Sequence, residues 1–78
     1  MQISVKYFAS LRELVGFADD SLDVEDNATV NDVWQSILVN HKLEIEQVMM
    51  TVNHEYVKPE HTLQSGDEVA FFPPVTGG

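Results

Sequence analysis

The stretch TVNDVWQSILVNH, residues 29–41, decides the fold, because it predicts the main helix of the chain. Its apolar residues recur at positions i, i+3, i+4, i+7 and i+8, a spacing that forms one continuous apolar stripe on a helix. Thr29 is placed to cap the first turn, with Asp32 at the third helical position. The stripe has to be buried against other elements, so we expect Trp34 to anchor the core. The residues of the stripe are Val30, Val33, Trp34, Ile37 and Leu38.

Segments typical of strands lie on both sides of this helix. Alternating apolar residues and β-prone runs predict five strands, at residues 3–8, 22–24, 48–52, 56–57 and 68–72. Between the first two strands, Ser10 and Glu13 match the S-x-x-E capping box and predict a short helix that Gly16 ends. Asp19 and Asp20 are expected in a loop, where a solvated surface role is the ordinary interpretation.

The predicted order of elements is β-α-β-α-β-β-β. The first and last strands can pair side by side and parallel, because the main helix supplies the crossover between the two halves of the sheet. A mixed five-stranded sheet around one main helix is an α+β architecture, the β-grasp or ubiquitin-like fold. Residues 1–72 form this domain, and residues 73–78 are expected to leave it as an extended arm.

Charge and composition exclude several classes of function. Thirteen acidic residues against four basic ones give a formal net charge of -9. Such a surface repels nucleic acid and anionic membranes, whose binding depends on Lys and Arg, so neither is an expected partner. It also repels anionic metabolites, so if a phosphorylated substrate is involved, its pocket lies mainly on a basic partner protein. The alternative is that the charge only maintains solubility.

Residues for an independent active site are nearly absent. The chain has no cysteine, and the spacing of His41, His54 and His61 matches no metal-ligand motif. The serines have no nucleophile-elbow context, and there is no phosphate-binding glycine loop. We therefore expect neither a metal site nor an enzyme acting on its own. The start of the sequence does not resemble a signal peptide and no run is long enough to span a membrane, which favours a cytoplasmic protein.

The C-terminal arm is the remaining candidate site. It reads Pro73-Pro74-Val75-Thr76-Gly77-Gly78, and six residues reach at most about 20 Å when extended. The two prolines stiffen its base, while the two glycines carry no side chain that would obstruct a narrow channel. The carboxylate of Gly78 could be adenylated and then converted to a thiocarboxylate, whose sulfur is a soft nucleophile. The alternative is a frayed tail that happens to end in two glycines.

Strand alternation predicts an aromatic docking patch at the root of the arm. If the apolar residues of the first and last strands face the helix, then Phe8 and Phe72 emerge on the outer face of the sheet, where Tyr56 can join them. Exposed aromatic residues are favoured anchors of protein interfaces. The alternative is an inverted face assignment, because a shift of one residue exchanges the two faces. The residues expected to face the helix are Ile3, Val5, Tyr7, Val69 and Phe71.

Three stretches of the chain form a pattern that is too long to be a chance motif. They are FASLRELVG at residues 8–16, VN at residues 52–53 and LQSGDEVAFFPPVTGG at residues 63–78. In these stretches the chain resembles the small, sulfur-carrying subunits of molybdopterin synthase, a family of ubiquitin-like proteins. The similarity extends over essentially the whole domain, and the last stretch is its specific part. Arg12 lies in the first stretch. Its side chain is expected to pair with an acidic neighbour or to lie over the sheet, in preference to a direct functional role.

The resemblance implies a sulfur carrier in molybdenum cofactor biosynthesis. Gly78 would be adenylated by an enzyme similar to the ubiquitin-activating family, which uses ATP, and a sulfur donor protein would then give the thiocarboxylate. Gly77 and the rest of the arm would enter the large subunit of the synthase, where the sulfur attacks cyclic pyranopterin monophosphate. The chain itself would bind no cofactor and would act as a co-substrate in a two-plus-two heterotetramer.

Two alternatives stay open. The first is a sulfur carrier for another pathway, such as thiamine biosynthesis, against which the FFPPVTGG tail argues. The second is a β-grasp module that binds partners without covalent chemistry and whose tail is inert.

Overall fold

The first and last strands lie side by side in the middle of the sheet. In the computed structural model, which describes residues 1–45 and 47–74, β1 (Gln2–Tyr7) runs parallel to β5 (Glu68–Phe72). The other elements are α1 (Ser10–Val15), β2 (Asp19–Asp23), α2 (Val30–His41), β3 (Met49–Val52) and β4 (Glu55–Tyr56). The other neighbouring strands pair antiparallel, and the strand order in this part of the chain is β2-β1-β5-β3-β4. The predicted β-grasp fold and order of elements are confirmed.

Helix α2 begins and ends where its sequence predicts. The hydroxyl of Thr29 accepts from the backbone N–H of Asp32 at 3.1 Å, and the carboxylate of Asp32 accepts from the backbone N–H of Thr29 at 2.9 Å. This reciprocal capping box satisfies two of the free N–H groups in the first turn. At the other end Lys42 adopts a left-handed conformation, with φ of 55°, and closes the helix. Both boundaries are therefore set by local chemistry.

The core lies between α2 and one face of the sheet. The Trp34 ring is 4.9 Å from the ring of Phe71, measured between centroids, and both side chains are buried. The alternating residues of β1 and β5 contribute the sheet side of this core, as predicted. Their side chains alternate because successive residues of a strand point to opposite faces. The core includes Ile3, Val5, Tyr7, Met50, Val52, Val69 and Phe71 from the sheet, with Val30, Val33, Trp34 and Ile37 from α2.

The region between β1 and β2 differs from the prediction in two respects. The N-cap of α1 is Ala9, with φ of 53° and no side-chain hydrogen bond, so the predicted Ser10 capping box is wrong. The chain turns into the helix directly after the backbone N–H of Phe8 bonds the carbonyl of Phe71, which leaves Ser10 inside the first turn. The prediction of a loop at Asp19 and Asp20 is also wrong, since both residues pair with β1.

The two edges of the sheet discourage pairing with other chains. The edge strand β2 reads DDSLD and presents three carboxylates, and the opposite edge strand β4 has only two residues. Charged and very short edge strands are the usual protection against edge-to-edge association. In the part of the chain that the structure describes, no helix has the length and apolar character needed to cross a bilayer.

The buried phenol of Tyr7 predicts a specific sensitivity to alkali. Burial, with a smaller contribution from the charge of Asp20, raises the pKa of Tyr7 to about 12 from the ordinary value of 10.0. The unfolded chain loses this proton near pH 10 and the folded chain near pH 12. The protonated Tyr7 phenol therefore makes its full contribution to the free energy of unfolding below pH 10. This contribution, about 2–3 kcal/mol, is lost between pH 10 and 12.

Replacing Tyr7 by Phe should remove most of this decline. The free energy of unfolding, measured in urea from pH 9 to 12, should fall less steeply for Tyr7→Phe than for the unmodified chain. Tyr56→Phe is the matched control, because the Tyr56 side chain is 70% exposed. Equal slopes for the two variants would show that Tyr7 does not govern the alkaline transition.

Candidate docking surface and carrier terminus

Three aromatic side chains meet on the outer face of the sheet. Phe72 lies between Phe8 and Tyr56, with ring centroids 5.8 Å and 6.0 Å away, and both pairs have the T-shaped geometry that aromatic rings favour. Phe8 is 47% exposed and Tyr56 is 70% exposed, while Phe72 is half-buried between them. We call these three residues the aromatic cluster. The predicted placement of the three side chains is confirmed.

Strand register explains why the cluster forms. Tyr7 is paired with Phe71 across β1 and β5, so the next residues along both strands, Phe8 and Phe72, lie together on the opposite face. On the other side of β5, Thr51 is paired with both Ala70 and Tyr56, which brings Tyr56 onto the same face. The cluster is therefore assembled from residues far apart in the sequence.

A recess of about 240 Å³ lies beside the aromatic cluster. Ala70 and Thr51 are buried residues with small side chains, and they line the recess between the larger groups. His54 and Glu68 complete its lining. The recess is smaller than the roughly 300–1,000 Å³ that is typical of small-molecule sites. Its size suits one side chain of a docking protein.

Two charged residues and a histidine, Lys6, Glu68 and His54, border the aromatic cluster, and we call them the charged strip. One carboxylate oxygen of Glu68 is 3.0 Å from Nε2 of His54, and the other is 3.8 Å from Nζ of Lys6. The sequence prediction missed this charged strip. Glu68 is four residues before Phe72 and Lys6 is two before Phe8, so alternation would have placed both on the outer face, because residues two or four apart in a strand share a face.

A network around Asn53 holds the hairpin that carries Tyr56. Asn53 has φ of 51°, and its backbone N–H donates to the carbonyl of Glu68 at 2.8 Å. Its side-chain oxygen accepts from the backbone N–H of Glu68 and its amide donates to Asp67, both at 3.0 Å. The second oxygen of Asp67 accepts from the backbone N–H of Gln64 at 2.8 Å. The VN and GDE motifs of the sequence therefore lie side by side, and their hydrogen bonds join the β3–β4 turn to the start of β5.

The remaining polar candidates of the sequence are not brought together. His41 packs edge-on against Phe17, with ring centroids 5.9 Å apart, while His61 is exposed in a loop and His54 belongs to the charged strip. Arg12 is exposed on α1. Among residues 1–45 and 47–74 no group of three or more His, Cys, Asp or Glu side chains is close enough to hold a metal ion.

The arm leaves the sheet beside the aromatic cluster. Pro73 and Pro74 follow Phe72 directly and are half-buried. The predicted site residues beyond them lie outside the described residues, so their roles stay predictions. These residues are Val75, Thr76, Gly77 and Gly78.

Comparison with known proteins identifies the relatives of the chain. The model of the ThiS family matches residues 5–78, which is nearly the whole sequence. The chain belongs to the ThiS family. Among its ThiS-family relatives, a protein of Escherichia coli named molybdopterin synthase sulfur carrier subunit is 42% identical over 97% of this chain and 99% of its own length. The protein of the same name from Chlamydomonas reinhardtii is 39% identical over the full length of both chains.

A solved structure supports the same relationship. The crystal structure of SAMP1 from Haloferax volcanii superposes with a TM-score of 0.84 at 28% sequence identity, and each chain is covered completely. The likeness to these proteins therefore includes the strands that carry the aromatic cluster.

The Asn53 network predicts a measurable contribution to stability. Asn53→Ala removes two side-chain hydrogen bonds and places a Cβ-bearing residue without a local hydrogen bond at a positive φ, so the free energy of unfolding should fall by about 1–3 kcal/mol. Asn53→Gly keeps the backbone conformation accessible, so its free energy of unfolding should fall less than that of Asn53→Ala. Urea denaturation measures both values. An Asn53→Ala variant as stable as the unmodified chain would contradict the role assigned to this network.

Proposed function

We propose that this chain is the sulfur-carrier subunit of a molybdopterin synthase. The observation that carries this proposal is the full-length similarity to the Escherichia coli protein of that name, at 42% identity. The glycine pair supports it, because the ThiS-family match runs through Gly78. On this proposal the chain is not an enzyme by itself. It delivers sulfur to a reaction that a partner catalyses.

The proposed chemistry takes place at the carboxylate of Gly78. An activating enzyme similar to the ubiquitin-activating family joins this carboxylate to AMP and releases pyrophosphate from ATP. A persulfide of a sulfur donor protein then attacks the adenylate through its terminal sulfur and displaces AMP. A thiol cleaves the resulting S–S bond, which leaves a thiocarboxylate on Gly78 and joins the two donor sulfurs in a disulfide. In the synthase, this sulfur attacks cyclic pyranopterin monophosphate, and water then cleaves the bond between the sulfur and the carbonyl of Gly78, which returns the carboxylate to the carrier. Two charged carriers or two rounds of charging supply one dithiolene. The carrier binds no cofactor of its own, and ATP is used by the activating enzyme.

The aromatic cluster is the proposed docking surface for the large subunit. Partly exposed Phe and Tyr side chains at the centre of a surface are typical anchors of protein interfaces. Phe72 is followed directly by Pro73 and Pro74, so a protein that covers the cluster also receives the start of the arm. Val75, Thr76 and Gly77 then carry Gly78 into the channel of that partner. The net charge of -9 favours a basic partner, which also suits a phosphorylated substrate. The proposed location of this system is the cytoplasm.

Mass spectrometry of the intact protein tests the carrier chemistry. After incubation with the activating enzyme, ATP and a sulfur source, the mass should rise by one oxygen-to-sulfur exchange at the C-terminus. A variant with one serine added after Gly78 is the control, and it should show no exchange and unchanged thermal stability. If the unmodified chain gains no sulfur, or if the extended variant stays active, the proposed chemistry is wrong.

Alanine variants of the exposed rings test the docking surface. Phe8→Ala and Tyr56→Ala should each weaken binding to the large subunit by about tenfold or more, as expected for interface anchors. Val39→Ala is the matched control, because Val39 is 75% exposed but lies on α2, away from the cluster. Calorimetric titration gives the dissociation constants. Unchanged affinity in both ring variants would exclude the cluster as the docking surface and leave the carboxylate chemistry untouched.

Pterin conversion distinguishes the pathways. The sulfur-charged carrier and a purified large subunit should together convert cyclic pyranopterin monophosphate to the dithiolene product. A charged carrier that gives no product with that subunit would belong to another sulfur-transfer pathway, such as thiamine biosynthesis.

A further inference from the structure

The recess beside the aromatic cluster combines apolar walls with one carboxylate. The three rings of the cluster line it together with Glu68 and His54. Ala70 and Thr51 add no charge and little bulk to this lining. A side chain that fills this volume therefore meets both aromatic surface and a carboxylate.

Glu68 has the capacity to accept an additional donor. A carboxylate has two oxygens with about four lone-pair positions, and the structure places Nε2 of His54 3.0 Å from one oxygen and Nζ of Lys6 3.8 Å from the other, which leaves positions for a further donor. The His54 side chain is 84% exposed, so water replaces its contact with Glu68 at little cost. The Glu68 side chain is 31% exposed and is already partly shielded, which strengthens a charged hydrogen bond made there.

We propose that the recess receives an arginine side chain of the protein that docks on the aromatic cluster. The guanidinium group is planar, stacks on aromatic rings and forms a fork of two hydrogen bonds to a carboxylate, so it suits both the rings and the Glu68 carboxylate that line the recess. A lysine ammonium is strongly hydrated and lacks this fork. The net negative charge of the whole domain also favours a positively charged group on the partner. The inference rests on the proposed function, because it assigns a contact within that docking surface.

Glu68→Gln is the first test, because it keeps the shape of the side chain and removes its charge. The dissociation constant for the large subunit should rise about ten- to a hundredfold, the range expected on loss of a charge-assisted hydrogen bond. Glu44→Gln makes the same change of net charge on the exposed loop after α2 and should leave the dissociation constant within about twofold. Thermal unfolding of both variants checks that the domain stays folded.

A charge exchange identifies the side chain that enters the recess. Surface arginines of the large subunit are replaced by Glu one at a time, and each variant is titrated with the unmodified carrier and with Glu68→Arg. One replacement should abolish binding to the unmodified carrier and regain at least tenfold affinity with Glu68→Arg. The matching replacement of that arginine by Lys should weaken binding to the unmodified carrier, because the planar fork is lost.

The outcomes separate this inference from the proposed function. If Glu68→Gln binds as tightly as the unmodified chain while Phe8→Ala binds weakly, the recess holds no arginine and the docking surface stands. If Glu68→Gln weakens binding but no arginine variant is coupled to Glu68→Arg, the partner group is not arginine. If the unmodified carrier does not bind the large subunit at all, the proposed function itself fails.

Discussion

The parallel pairing of β1 with β5 is the constraint on which the rest of the structure depends. It joins the two ends of the chain in the centre of the sheet, and each of these strands has a further neighbour on its other side. Parallel strands need a crossover connection, and α2 lies in the sequence between them and covers one face of the sheet. The same pairing places Phe8 beside Phe72, where the chain leaves the sheet. The fold and the aromatic cluster therefore have a common cause.

Because side chains alternate along these two strands, one face of the sheet packs the core and the other carries the aromatic cluster. Phe71 contacts Trp34 in the core, and its neighbour Phe72 points outward to the cluster. A shift of one residue would bring Ala70 of β5 or Lys6 of β1 onto the core face, which would leave a hole in the core or bury a charge. The buried face thus fixes the register, and the register fixes the position of the outer residues. A stable core therefore also fixes the geometry of the aromatic cluster.

The parts of the fold that the sequence predicts are those with local signals. Thr29 and Asp32 cap α2 within four residues of one another, and the apolar stripe is complete within three turns. The alternation of inward and outward side chains along β1 and β5 is also a local signal, so the sequence predicts the correct face for Phe8 and Phe72. The entry into α1 was not predicted, because Ala9 caps it through a backbone turn that follows the last ladder bond of β1.

Long-range contacts mark the limit of prediction from sequence. The extent of β2 depends on how far the β1 ladder continues, so Asp19 and Asp20 gave no strand signal of their own. The link of Glu68 to Lys6 and to His54 requires the register of three strands and the geometry of a turn. Asn53 was visible as a motif residue, but its two hydrogen bonds reach residues 14 and 15 positions away. The sequence marks Asn53 as a motif residue, but only the structure shows which groups its side chain contacts.

The separation of docking surface and reacting group explains why so small and acidic a domain suffices. Under the proposed function, the reacting carboxylate lies at the end of an arm that reaches at most about 20 Å, while recognition is carried by side chains on the sheet. Binding at the sheet holds the arm close to the channel of the partner, which turns delivery of the sulfur into an effectively intramolecular step at high local concentration. The domain then needs no catalytic acid or base of its own. It needs a rigid root for the arm, and Phe72, fixed between two rings and followed by two prolines, supplies that root.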